Sequence, residues 1–287
     1  MFRRHIALAL GGGGARGLAH IGVLRALEAS QVPIHLIVGA SMGSIVGGLY
    51  AQTGDARLVE AKIREFLQSS LFTHQQPQPP KGAGSFLDQV AESLWAQIER
   101  EDHLKDQIKA LSDRFLSTLS ALFPQPLIEN CRIPYAAIAA DLRSGEEIIL
   151  DSGSMAEAVY ASSAMPGIFA PQRRGEQLLV DGAATSAIPV RAARSLAPDA
   201  KIIAVDVSSQ LARQFNEHNV LGVILRSGAV TGHHYHQTLA AEADVLIRPH
   251  VKLFNWSEFG NIDDFIAEGE QATISKLPEI KRLMRLW

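Results

Sequence analysis

Gly39-Ala40-Ser41-Met42-Gly43 has the spacing G-x-S-x-G, in which a serine is carried on a sharp turn between a strand and a helix. The flanks suit that setting. Ile34 to Val38 is a short apolar run with the composition of a buried strand, and Ile45, Val46, Leu49 and Tyr50 recur at the spacing of one helix face. Gly39 and Gly43 remove side chains that would collide with neighbouring elements in so tight a turn. Ser41 is then lifted to the tip, over the positive end of the following helix, where a nucleophile belongs. The same letters also describe a glycine-rich turn with an N-capping serine, and the motif alone does not choose.

A second run stands upstream. Ile6-Ala7-Leu8-Ala9-Leu10 reads as a buried strand, Gly11-Gly12-Gly13-Gly14-Ala15-Arg16-Gly17 follows it, and Leu18, Ile21, Leu24 and Leu27 mark a helix face. A glycine loop between strand and helix exposes backbone N–H groups at a positive helix end, an arrangement that wants an anion. Gly12-x-Gly14-x-x-Gly17 fits the dinucleotide fingerprint, but the next strand, ending at Val38-Gly39-Ala40, brings no acid for a ribose. A phosphate loop would need Gly-Lys-Ser/Thr, which is absent. The oxyanion formed when a serine attacks an ester carbonyl is the remaining anion, and one such donor is typically worth ~10²–10³ in rate. A ligand-free glycine turn stays open as the plainer account.

Gly12 to Gly17, followed about one strand later by Gly39-Ala40-Ser41-Met42-Gly43, resembles the patatin-like phospholipase family. The resemblance implies an α/β fold, a three-layer α/β/α sandwich with a largely parallel central sheet, and a Ser–Asp dyad in place of a triad. It implies Ser41 as nucleophile, Gly12, Gly13 and Gly14 as oxyanion donors, and Arg16 with Gly17 as support for the loop. Asp181-Gly182-Ala183 corresponds to the family's second catalytic motif and makes Asp181 the general base. In isolation Asp-Gly would be a hairpin turn, although Ala183-Ala184-Thr185-Ser186 opens no returning strand. A carboxylate is a weak base for a serine, so the site must raise its basicity by partial burial. Ser163-Ala164-Met165-Pro166, ahead of Phe169 and Pro171, is the family's segment between elbow and aspartate, read as pocket-lining support.

A conventional triad would draw on His218, His233, His234, His236 or His250, all after Asp181. None lies in a recognisable motif, and spacing alone leaves the triad open. His233-His234-Tyr235-His236 lacks the i,i+4 spacing of a helical zinc pair and reads as an exposed or locally bonded cluster. His20, on the helix after the glycine loop, is expected to pack there. No metal and no cofactor are expected.

The 287 residues are 47% apolar and 20% charged, an ordinary globular profile with room for a core. With a formal charge of −3 and no long basic run, nucleic acid is an unsuitable partner. Cys131 is the single cysteine, so no intramolecular disulfide can form. The apolar run after Met1-Phe2-Arg3-Arg4-His5 is too short for a signal core or a membrane span. A cytoplasmic protein is expected, with peripheral contact at the inner membrane face open.

Residues 1–287 read as one domain of alternating strands and helices. Strands are expected at 134–140, 147–150, 177–180, 201–207 and 244–247, and Ser154-x-x-Glu157 is a capping box. Within 74–123, a Pro- and Gly-rich stretch precedes two amphipathic helical patterns, Phe86 to Ile98 and Leu104 to Leu122. These either pack on the domain or form a lid over an acyl pocket. The function expected is hydrolysis of lipid acyl esters, phospholipid or lysophospholipid, with a non-catalytic adaptor or a nucleotide-binding protein as alternatives.

Overall fold

The computed structural model describes residues 5–69, 101–208, 220–251 and 257–285. The expected linker at 75–84, the helical pattern Phe86 to Ile98 and His218 lie outside the described residues.

Strand β1 (Ile6–Leu10) runs through the centre of the sheet, flanked in parallel by β2 (Leu36–Gly39) and by β7 (Lys201–Val205). Outside them stand β3 (Tyr135–Asp141), parallel to β2, and β8 (Val245–Ile247), parallel to β7. One edge turns antiparallel. There β4 (Glu147–Leu150) and β6 (Gln177–Asp181) pair with β3, and β5 (Gln172–Arg174) pairs with β6. Every residue of β1 is buried, which is why it reads as an unbroken apolar run rather than an alternating one. Its alternate residues serve two cores. Ile6, Leu8 and Leu10 join the larger one, with Leu24, Val46, Leu49 and Phe265. Ala7 and Ala9 join the smaller one on the opposite face, with Val190, Ala193 and Ala240. Helices thus cover both faces of a largely parallel sheet, the three-layer α/β/α sandwich expected.

The helices are α1 (Ala19–Ala29), α2 (Met42–Thr53), α3 (Ala56–Leu67), α4 (Glu101–Leu122), α5 (Met155–Ser163), α6 (Val190–Leu196), α7 (Val220–Ala241) and α8 (Ile262–Arg285). The capping box forms: Ser154 Oγ accepts the Glu157 N–H at 3.3 Å and starts α5. Helix α4 lays its apolar face on the domain. Phe115, Leu119 and Leu122 are buried, Phe115 stacks on Phe169 at 4.6 Å, and Ser112 Oγ accepts the Ala170 N–H at 2.8 Å. The Asp181-Gly182 step makes no hairpin. It leads from β6 into a 3₁₀ turn, Gly182–Ala184, while the hairpin lies earlier, at Gly175 between β5 and β6. Strand β5 escapes sequence reading because it is three polar residues long. No helix among the described residues is long and apolar enough to cross a membrane.

Candidate active site

Strand β2 ends at Gly39 and α2 begins at Met42, so the chain reverses within Ala40 and Ser41. Ser41 absorbs the turn at φ 51° and ψ −124°, a backbone region almost reserved for glycine. The surroundings hold it there. Its N–H donates to Ser162 Oγ at 3.0 Å and lies 3.1 Å from the Ser162 carbonyl, and the Ala40 N–H donates to Leu10 O at 3.0 Å. A methyl group on Gly39 would come within 2.5 Å of Gly43 O and Ser44 Cα, and one on Gly43 would run into Leu10 O. Both glycines are therefore required by close backbone approach. Ser41 makes no capping bond to α2, and its hydroxyl lies near enough to the Asp181 carboxylate to influence its titration.

Asp181 closes β6, opposite Ala139 of β3, and is 5% exposed. Its N–H donates to Ala164 O at 3.0 Å, and its Oδ1 accepts the Ala183 N–H at 2.9 Å from the 3₁₀ turn. Burial pushes the carboxyl up to about 6, against the pull of the Ala183 N–H and of the neighbouring Ser41 hydroxyl. A carboxylate raised in this way is ionised at neutral pH yet takes a proton more readily than an exposed one. Among the described residues no histidine bonds to Ser41 or Asp181. His20 is fully buried, hydrogen-bonds through Nε2 to Gly11 O at 2.7 Å, and is held by burial down to about 4, hence neutral.

The glycine loop leaves β1 beside the elbow. Here one expectation needs correction. The Gly12 N–H donates to Ala187 O at 2.8 Å, as the Gly11 N–H does to Val205 O at 3.0 Å. Both amides are committed to the scaffold, so Gly12 is not an anion donor; a letter pattern cannot show where a distant carbonyl will claim an amide. Among the described residues no acceptor engages the N–H of Gly13 or Gly14, and both residues border the same cavity as Ser41. Gly17 sits against Met42 of the elbow helix. Arg16 is buried beneath the loop, its guanidinium lowered to about 10 by burial with Asp206 opposing, and its Nε has no partner.

These groups open into a cavity of about 1020 Å³ at the carboxyl ends of the parallel strands, where α/β sheets ordinarily bind ligands. Met165 and Pro166 contribute to its lining, as does α7 through Gly228, Gly232, His233, His236 and Leu239. No residue of α4 lines it. His233 accepts from Gln237 Nε2 at 2.8 Å. Burial holds the His236 imidazole below its usual range, with Asp206 opposing. Sequence reading left this wall unassigned. The usable signal was the helical spacing of Gly228, Gly232, His236 and Leu239, which puts them on one face.

Residues 8–194 match the family model described as patatin-like phospholipase. A patatin-like phospholipase domain-containing protein of Caenorhabditis elegans, ZK370.4, is 32% identical over 206 residues, covering 71% of this chain and 14% of that protein. Patatin-like phospholipase domain-containing protein 6 of Homo sapiens is 31% identical over 207 residues, 71% of this chain and 13% of that protein. An NTE family protein of Mycobacterium tuberculosis is 31% identical over 185 residues, 64% of this chain and 44% of that one. The chain thus spans only a minor part of each of these relatives. Among solved structures, VipD from Legionella pneumophila aligns with 98% of this chain and 67% of its own, at a TM-score of 0.49 and 13% identity. The segment matched by the family model runs from β1 into α6 and so contains the glycine loop, Ser41 and Asp181. On that match this chain belongs to the patatin-like phospholipase family.

Proposed function

We propose that the protein is a serine hydrolase of lipid acyl esters, phospholipids or lysophospholipids, acting through a Ser41–Asp181 dyad. The observation that carries this reading is the strained Ser41, beside a buried carboxylate of raised pKa and bordering the same large cavity. Asp181 takes the proton of Ser41 Oγ as the oxygen adds to the ester carbonyl. The N–H groups of Gly13 and Gly14 receive the oxyanion, and the Arg16 guanidinium beneath the loop adds positive potential. Collapse breaks the ester bond, Asp181 returns its proton to the leaving alcohol, and the acyl group stays on Ser41. Water, deprotonated by Asp181, then adds to the acyl-enzyme and frees the fatty acid and the serine. The cavity is at the upper end of the volumes usual for ligand sites, and an acyl chain suits it.

The test is intact mass after incubation with a fluorophosphonate, on wild type and Ser41→Ala in parallel. A single adduct on wild type, absent from Ser41→Ala, is the expected result. Equal labelling of both, or of neither with folding verified, removes Ser41 as nucleophile. The adaptor reading, in which partner binding survives Ser41→Ala, would then take precedence.

A further inference from the structure

The cavity that Ser41 borders also takes in two charged residues, Glu147 and Arg191, that the dyad does not use. Glu147 opens β4, opposite Ala140 of β3, and Arg191 stands in the first turn of α6. The way to them from Ser41 is short. A methyl group on Gly12 would lie 3.1 Å from Ser41 Cβ, and the Gly12 N–H donates to Ala187 O at 2.8 Å. Ser186, adjacent to Ala187, is near enough to Glu147 to influence its titration.

The two charges do not pair with each other. Arg191 Nε lies 3.0 Å from both carboxylate oxygens of Glu242, and Nη2 binds Glu242 as well. Among the described residues no acceptor engages Arg191 Nη1, and no cation lies within ion-pairing distance of Glu147. Burial raises the Glu147 carboxyl above its usual range, against the neighbouring Ser186 hydroxyl and the Arg191 charge. A half-buried carboxylate without a paired cation is costly, and a cationic ligand would relieve that cost. A free guanidinium N–H beside such a carboxylate is the outline of a zwitterion. In a glycerophospholipid the phosphate follows the ester, and an ammonium follows the phosphate across a short ethylene link.

The wall also bears on which ammonium fits. A quaternary ammonium has no N–H and is held by aromatic faces. Among the described residues Tyr235 is the one Phe, Tyr or Trp lining the cavity, and the Arg191 guanidinium already stands over its ring, 5.9 Å from the centroid. A primary ammonium instead donates hydrogen bonds, which a carboxylate accepts.

We infer that Glu147 is a specificity-determining residue that selects lipids with a primary-ammonium headgroup, of the phosphoethanolamine class, while Arg191 Nη1 takes the phosphate. The inference rests on the acyl-hydrolase reading and names the headgroup.

The test is kcat/KM of the full chain on lysophosphatidylethanolamine, lysophosphatidylcholine and lysophosphatidylglycerol with the same acyl chain, each below its micelle concentration. Wild type prefers the ethanolamine lipid to the other two by about tenfold or more, and Glu147→Gln brings the ethanolamine-to-glycerol ratio to about one. A ratio taken on one preparation is not moved by a loss of folded protein, so a merely structural Glu147 would leave it unchanged. Should Glu147→Gln fail to fold, Glu147→Ala, which also lacks the charge, carries the same expectation. Equal wild-type rates on the ethanolamine and glycerol lipids, or a ratio retained in the variant, overturn the inference. Equal rates on the ethanolamine and choline lipids overturn the choice of a primary ammonium. If wild type cleaves none of the three and takes no fluorophosphonate label, the hydrolase reading fails by itself. Calorimetric binding of the same lipids to Ser41→Ala, with and without Glu147→Gln, then decides the headgroup, and equal Kd values there overturn the inference.

Discussion

Ser41 holds a conformation that costs a non-glycine residue about 1–3 kcal/mol, and the surrounding hydrogen bonds keep it there. Removing the hydroxyl with and without that strain separates chemistry from stability. Ser41→Ala and Ser41→Gly should both lose at least about 10³ in rate, while Ser41→Gly should exceed Ser41→Ala in stability by about 1 kcal/mol in urea titrations. Asp181 supplies a pH signature. With Asp181 as the proposed base, only its carboxylate form would accept the proton, so kcat/KM should rise through pH about 6 and level off above it. A flat profile across that range would exclude Asp181 as the base. Because its folded-state pKa is raised above the unfolded value near ~3.9, the folded protein holds this proton more tightly. That group therefore adds stability as pH falls from about 6 toward 4 and subtracts it above 6. Asp181→Asn, inactive, should then unfold later than wild type at pH about 8, by on the order of 1–3 kcal/mol, with the gap closing toward pH about 4. Thermal melts across pH measure it.

At the level of elements, α1 and α8 meet backbone to backbone. A methyl group on Gly22 would run into Ile266 O, and one on Gly269 into Ala19 O. Neither obstacle is a flexible side chain. Gly22→Ala and Gly269→Ala should each destabilise by at least about 2 kcal/mol in denaturant titrations, although both residues lie away from Ser41. The pairing matters to the site because α1 continues directly from the turn that carries Arg16 and Gly17. What was legible here follows from locality. Strand β1 and the turn around Ser41 declare themselves through a buried apolar run and closely spaced glycines, features set by neighbours in sequence. The shared cavity of Ser41 and Asp181 closes across more than a hundred residues, and only the family resemblance named the two together. Which glycine amide faces the cavity depended on Ala187, equally remote. Helix α7 carries apolar and small residues on both faces, so its periodicity does not tell a cavity wall from a core.

For the whole molecule, the sheet gathers these distant pieces because β1, β2 and β7 run parallel and in register, Leu10 beside Gly39 and beside Val205. Their carboxyl ends deliver the glycine loop, Ser41 and the approach to Asp206 to one rim, and β6 comes in antiparallel beyond β3 to bring Asp181 there. Ser41, Asp181 and the glycine loop all fall within residues 8–194, whereas the wall from Gly228 to Leu239 falls beyond them. The groups proposed to react and one wall of their cavity are thus written on separate stretches of the chain. Mutation can reshape that wall while selection holds the first stretch constant, so on the proposed reading a change in the accepted ester needs no change near Ser41.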